Sequence, residues 1–336
     1  MILVTGATGL IGAHVLYELT KAGKSVRALY RNDEGIVRAR KVFSFYQEDT
    51  AALFNHVEWI RADINDRNAL TDCMLGIHQV YHTAGLVSFN DKYRKELNRV
   101  NIGGTEGIVN ACLETGSKLC HVSSIASLGE LAVNEQVDEN VIWNRGTSAS
   151  AYAISKYKSE MEVWRGIHEG LEAVIINPSV VIGPGMWMGP AKFLFTAVKK
   201  GLKYYPPGSS GYVDVRDVAR IMTLLCESGI TGERFIINAG HMTHHDFLNH
   251  LAEAFDKEGP DKLISPWLAQ IAVIGESFRA FVAGSTPRIN RRTFSIASED
   301  LRYSSKKVID ILGVNFTSIE ESVNTAVQIF KTIEKS

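Results

Sequence analysis

A tyrosine and a lysine four residues apart, Tyr152 and Lys156 in Tyr-Ala-Ile-Ser-Lys, share one face if the stretch is helical. A phenol is a weak acid, with an unperturbed pKa of about 10. An ammonium beside it would favour the phenolate and bring proton exchange with a carbonyl or hydroxyl oxygen nearer to neutral pH. Val122-Ser123-Ser124 closes an extended run upstream, 152 − 124 = 28 residues before the tyrosine. A serine hydroxyl at the carboxyl end of a strand can hydrogen-bond an oxygen as it gains charge. Ser124 is expected to act and Ser123 to be structural. A solvated helix face would explain the pair alone, and a turn cap the serines alone; their meaning comes from company.

A second group binds rather than reacts. Thr5-Gly6-Ala7-Thr8-Gly9-Leu10-Ile11-Gly12 follows the first strand and opens an amphipathic helix, with glycines at spacings of three and three. Absent Cβ atoms allow a tight turn, a close approach of pyrophosphate to backbone N–H groups, and tight helix-on-strand packing. After the second strand, Tyr30 stands where an acid would accept from a ribose 2′-OH, and Arg31 follows, suited to a 2′-phosphate. NADP(H) is therefore favoured over NAD(H), although Asp33 and Glu34 lie close enough to reverse the preference. Asp63, in Ala62-Asp63-Ile64 after the third strand, is placed to meet an adenine ring or to cap a helix.

The elements that would position these residues are short apolar runs alternating with helical patterns. Strands are expected at Ile2–Thr5, Ser25–Tyr30, Val57–Arg61, Gln79–His82, Lys118–Ser123 and Ala173–Asn177. Ile11, Val15, Leu19 and Ala22 give a helical stripe stopped by Gly23. Strand and helix in alternation imply α/β architecture, a Rossmann-type doubly wound parallel sheet with a smaller, mostly helical C-terminal substrate lobe. Residues 1–180 form the dinucleotide-binding domain, with a returning segment at about 212–240 that includes a strand at Phe235–Asn238. Residues 181–211 and 241–336 form the lobe.

Composition removes other classes. Lys plus Arg number 36 against 37 Asp plus Glu, so a net charge of −1 offers no field for nucleic acid or an acidic membrane. An apolar content of 45% excludes a disordered chain. Cys73, Cys112, Cys120 and Cys226 are scattered, without metal-ligand spacing, and are expected to be buried thiols; no metal is expected. The opening run is too short for a signal peptide, and no stretch reaches the roughly 18 apolar residues of a membrane span. A cytoplasmic protein with a small-molecule substrate is expected.

The glycine turn, the strand-end serines and Tyr-Ala-Ile-Ser-Lys, in this order and spacing, resemble the extended short-chain dehydrogenase/reductase superfamily over nearly the whole chain. Further matches are His82-Thr83-Ala84-Gly85, Asn101 with Gly103-Gly104-Thr105, Asn177-Pro178 with Gly183-Pro184-Gly185, and Tyr212 to Ala219. The resemblance implies Tyr152 as general acid/base, Lys156 as the ribose-binding residue and Ser124 as the carbonyl-polarising hydroxyl. It implies cofactor contacts from Gly6, Thr8, Gly9, Leu10, Ile11, Gly12, Arg31, Asp63, Ile64, Thr83, Ala84, Gly85, Asn101, Ser123, Pro178 and Val181. Homodimers common among such proteins would use the helices containing Asn101 to Glu114 and Tyr152 to His168.

Within that superfamily, Val137 to Asn144 and Tyr152 to Glu160 are similar to the dihydroflavonol 4-reductase and cinnamoyl-CoA reductase branch. Dehydratases carry Thr-Asp-Glu where this chain has Ser124-Ile125-Ala126. Nucleotide-sugar epimerases usually grip a diphosphate with an arginine before the Val-Asp strand, where Pro206 to Tyr212 has none. Phe89, Met186, Trp187 and Phe193 suit a hydrophobic substrate, each with lobe core as the alternative, as for Met188 and Phe195. Reduction of an aldehyde or ketone is thus the expected activity. A NAD-dependent nucleotide-sugar epimerase and a non-catalytic dinucleotide-binding protein are the rivals.

Overall fold

A computed structural model describes residues 1–46, 50–129, 136–143, 149–185, 190–265, 267–268, 270, 298–300 and 302–335. Its strands, in chain order, are β1 (Ile2–Thr5), β2 (Val26–Tyr30), β3 (Val57–Arg61), β4 (Gln79–His82), β5 (Lys118–Val122), β6 (Gln136–Val137), β7 (Ala173–Pro178), β8 (Val180–Ile182), β9 (Tyr204–Tyr205), β10 (Ser209–Asp214), β11 (Glu233–Ile237), β12 (Gly240–Thr243), β13 (Lys262–Leu263) and β14 (Arg302–Tyr303). Seven of them form one parallel sheet in the order β11-β7-β5-β4-β1-β2-β3. The order reverses between β1 and β4. Crossovers there leave on opposite faces, so the carboxyl ends of these two strands open a crevice.

Every sequence-expected strand of this sheet is present, β1, β3 and β4 with the expected ends and β2, β5, β7 and β11 with one or both ends displaced by one or two residues. Both faces are covered, so β1 and β7 are buried along their whole length. Successive residues point to opposite sides. Cys120 therefore packs in the cluster with Val4, Leu16 and Met222, while its neighbour Leu119 joins Leu3, Ile108 and Val163 on the other face. All four cysteines are buried free thiols. A second sheet, β12-β10-β8, carries the helices His244–Ala254 and Ile319–Lys335 around Phe195, Phe247, Leu251, Val327 and Phe330. Among the described residues no helix is long and apolar enough to cross a membrane.

The turn after β1 shows why glycine is needed there. Gly6 has φ +66°, and a Cβ on it would lie 2.5 Å from the Ala84 nitrogen at the end of β4. A Cβ on Gly12 would lie 2.2 Å from the Gly6 carbonyl oxygen and 2.6 Å from Thr83 Oγ1. The helix Leu10–Lys21 begins at Gly9 with no side-chain cap, which leaves first-turn N–H groups without an intrahelical or capping partner. Thr83 Oγ1 donates to the Thr5 carbonyl at 2.7 Å and locks β4 to the turn.

Gly12→Val is expected to break this packing. The contact is with backbone rather than a flexible side-chain end, so overpacking should cost about 1–3 kcal/mol or more and abolish dinucleotide binding. Urea unfolding and NADPH fluorescence titration check both effects; unchanged binding would contradict the close-approach assignment.

Candidate active site

The helix Ala151–His168 starts at Ser150, whose Oγ accepts from the Ala153 N–H at 2.9 Å. That cap fixes the first turn, and the spacing of four then turns Tyr152 and Lys156 to the sheet edge. Lys156 is buried, and its Nζ donates to the carbonyl of Val122, the last residue of β5, at 2.8 Å. Ser124 follows two residues later in extended conformation, and its Oγ accepts from the Ala126 N–H at 3.2 Å. The Phe89 ring stands edge-on to Tyr152, with centroids 5.6 Å apart.

Ionisation departs from the simple expectation of a phenol eased by its lysine. Burial raises the Tyr152 pKa, and a hydrogen bond with Ser124 acts in the opposite direction. The lysine yields instead: burial pushes Lys156 down to about 8, against the attraction of Glu160. Helical spacing reveals that two groups share a face but not how little water reaches them. His82 and His121, buried under the sheet edge, are both held well below the ordinary imidazole value by burial and by the lysine charge.

A cavity of about 870 Å³ runs along the crevice. Of the residues expected at the cofactor and the chemistry, it is lined by Gly9, Leu10, Ile11, Gly12, Thr83, Ala84, Gly85, Ser123, Ser124, Tyr152, Lys156, Pro178 and Val181, with Phe89 from the expected substrate pocket. Gly6 lies beneath the turn, and Thr8 sits against Gly35 in the first turn of the helix Asp33–Tyr46. Arg31, at the end of β2, is exposed and outside this cavity. Asp63 Oδ1 accepts from the N–H and side-chain amide of Asn65 at 3.0 and 2.7 Å, and those bonds, the backbone one foremost, hold its carboxyl below the usual range. Ile64 packs on Gly104.

Asn101 is engaged internally. Its side chain accepts from the Leu86 N–H at 2.7 Å and donates to the Leu86 carbonyl and Ser155 Oγ, bracing the loop after β4. Phe193 is exposed on the helix Pro190–Lys199 and does not line the cavity. Phe195 is lobe core. Met186, Trp187 and Met188 lie outside the described residues.

Several lining residues were not anticipated from the sequence. Leu86, Val87, Ile125, Ala126, Trp143 and Val180 supply apolar wall, and Ser209, Ser210, Glu299 and Tyr303 supply a polar end. Trp143 stacks on Tyr157 of the same helix that bears Tyr152, with ring centroids 4.3 Å apart. These positions are distant in sequence and carry no local pattern. Glu160 was within reach, since Tyr152, Lys156 and Glu160 repeat at intervals of four on one helix face.

This sheet, with a glycine turn and a serine–tyrosine–lysine set at its switch point, defines a dinucleotide-dependent enzyme of the extended short-chain dehydrogenase/reductase class. The chain belongs to the NAD dependent epimerase/dehydratase family, whose family model matches residues 2–240. It is 30% identical to "Sterol demethylase protein B" of Methylococcus capsulatus, with 98% of each chain covered. It is 26% identical to a "Putative dihydroflavonol 4-reductase" of Synechocystis sp., over 98% of this chain and 94% of the relative, which carries the likeness drawn from the sequence. The crystal structure of gox2253 superposes with a TM-score of 0.80 at 25% identity, covering 99% of this chain and 98% of that one.

The depressed lysine has a consequence for stability. Unfolding returns Lys156 from about 8 to its ordinary 10.5, so between those values the unfolded chain binds more protons. Stability of the native chain relative to Lys156→Met should therefore rise as pH goes from about 8 to 10.5, and fall back as pH drops to 8. The full span amounts to about 3 kcal/mol. Urea unfolding of both proteins at the two ends of the window measures it; a flat difference would contradict the buried, depressed ammonium.

Proposed function

We propose that the chain is an NADP(H)-preferring reductase that converts a hydrophobic aldehyde or ketone to its alcohol. The observation that carries this reading is that Ser124, Tyr152 and Lys156 share one cavity with the uncapped glycine turn, under a mostly apolar and aromatic wall that has a polar end at Ser209, Ser210, Glu299 and Tyr303. The residues present fit a dinucleotide. Gly9 and Gly12 line the cavity without side chains, and the first-turn N–H groups without a capping partner suit a pyrophosphate. Thr83, Ala84, Lys156, Pro178 and Val181 all line the cavity; Thr83, Ala84 and Lys156 would lie on the ribose side of a bound dinucleotide, and Pro178 and Val181 on its nicotinamide side.

A reduced nicotinamide, when bound, supplies the hydride to the carbonyl carbon. The chain's part is to hold the carbonyl oxygen and give it a proton. Ser124 donates a hydrogen bond to that oxygen as negative charge gathers on it, and Tyr152 delivers its phenolic proton. Burial keeps Tyr152 protonated until that moment. The Lys156 ammonium then stabilises the phenolate left behind while its bond to Val122 keeps it in place. Apolar walls exclude water from the developing charge and thereby strengthen both donors.

Two features favour a hydrophobic carbonyl over a nucleotide sugar. Among the described lining residues Lys156 is the one cation, so a second diphosphate would enter without a guanidinium to meet it. Phe89 stands beside Tyr152 instead, and Trp143, stacked on Tyr157, lines the same cavity. The names of two relatives, a sterol demethylase protein and a putative dihydroflavonol 4-reductase, support a hydrophobic substrate. Arg31, exposed at the end of β2, supports the 2′-phosphate preference.

Tyr152→Phe should lower turnover of an aryl aldehyde by about 10²–10⁴-fold while NADPH binding stays within a few-fold; full activity would refute the proton-donor role. Arg31→Glu should weaken NADPH relative to NADH, measured as the ratio of their dissociation constants. An unchanged ratio would remove the 2′-phosphate argument.

A further inference from the structure

Behind the catalytic edge lies a carboxylate that the reduction does not consume. Glu160 is 1% exposed, two helical turns beyond Tyr152. Its Oε2 accepts from Ser123 Oγ at 2.6 Å, Ser127 Oγ at 2.7 Å and the Asn177 side-chain amide at 2.8 Å. Its Oε1 accepts from Arg234 at 3.3 Å and from the Trp164 indole at 3.4 Å. Burying an anion is costly unless it is paired and hydrogen-bonded, so five donors on one carboxylate mark a committed site.

The partners of Glu160 are the residues that orient Ser124. Ser123 and Ser124 are adjacent, and Ser124 is extended, so their side chains leave on opposite faces. Anchoring Ser123 to Glu160 therefore turns Ser124 toward the cavity. The Asn177 amide carries two N–H groups and reaches both Glu160, at 2.8 Å, and the Ser124 carbonyl, at 3.2 Å, while Ser127 Oγ lies 2.7 Å from both acceptors with one proton to give to either. Backbone and side-chain direction of Ser124 are thus both set through one carboxylate.

Arg234 extends the assembly to the cavity wall. Beyond Glu160, its Nε donates to the Glu139 carbonyl at 2.8 Å and its terminal nitrogen to the Val141 carbonyl at 2.6 Å. The Glu139 carboxylate in turn accepts from the Ile236 N–H at 2.8 Å. This short segment leads directly to Trp143, which lines the cavity.

We propose that Glu160 is a positioning residue that aims Ser124 at the reacting oxygen and, through Arg234, fixes the Trp143 wall of the substrate pocket. The inference rests on the reductase reading of this site. Its consequence is that proton-transfer geometry and pocket shape are set by one ion pair, between buried Glu160 and partly buried Arg234, so small errors there reach the reaction, where misplacement by about 1 Å can cost 10²-fold. Glu160→Gln keeps the size but turns an N–H₂ group against donors, and Arg234→Lys keeps the charge but loses the fork.

The test is steady-state kinetics of the full chain with NADPH and 4-nitrobenzaldehyde, alongside NADPH titration and ¹³C NMR of lysine, with Lys156 assigned by Lys156→Met. Glu160→Gln should reduce kcat by roughly tenfold or more, leave NADPH affinity within about twofold, and lower the Lys156 titration midpoint, because Glu160 attracts that ammonium. Arg234→Lys should raise KM for the aldehyde more than it lowers kcat. Wild-type kcat with an unmoved Lys156 midpoint in Glu160→Gln would overturn the proposal. Should that variant not fold, Ser127→Ala reads the same effect through kcat at unchanged NADPH affinity, and wild-type kcat there would overturn it. Tyr152→Phe separates the two levels: if it is fully active the reductase reading fails, whereas an inactive Tyr152→Phe with an active Glu160→Gln defeats only the role of Glu160.

Discussion

The hydrogen bond from Lys156 Nζ to the Val122 carbonyl is the contact on which the rest of the site depends. It joins the helix that carries Tyr152 to the end of β5, two residues before Ser124, and does so at the sheet edge where the crevice opens. A parallel strand ends with an unpaired carbonyl, and a buried ammonium needs an acceptor. Each satisfies the other. The cost shows in the lysine's depressed pKa, which is the sign of a charge kept where water would otherwise hold it.

Around that contact the sheet assembles parts from distant stretches of chain. β1 delivers the glycine turn, β4 the Thr83–Gly85 segment, β5 the serines and β7 the Pro178 end, all at one edge because all run in one direction. The turn and β4 are pressed together so closely that only a missing Cβ at Gly6 and Gly12 permits it. Glu160 then serves the opposite side of the same edge. It gathers Ser123, Ser127, Asn177 and Arg234 at a depth where an unpaired donor would be costly.

Legibility in the sequence followed the range of the interaction. Strands β1 to β5 and β7 were readable because short apolar runs between helical stripes are local signals. The glycine turn was readable because Gly6, Gly9 and Gly12 form a local pattern directly after a strand, although the contacts that forbid a Cβ at Gly6 and Gly12 include Thr83 and Ala84, far along the chain. Tyr152 and Lys156 were readable as neighbours through helical spacing, but burial, a tertiary property, decided that the lysine rather than the tyrosine loses its proton more readily. Asn101 was expected at the cofactor and is occupied by Leu86 and Ser155, partners that no spacing announces. The pocket wall draws on Leu86, Trp143, Val180, Ser209 and Tyr303, brought together only by the fold.

The account centres on hydride arriving at a carbonyl carbon while Tyr152 protonates the oxygen. Following the fate of label from NADPH deuterated at nicotinamide C4, on the transferred face, tests it most directly. With 4-nitrobenzaldehyde and the purified chain, the account predicts an alcohol carrying one deuterium on its carbinol carbon by mass spectrometry, with NADP formed in equal amount. An alcohol without deuterium, or NADPH left unconsumed while a nucleotide sugar is interconverted, would contradict it.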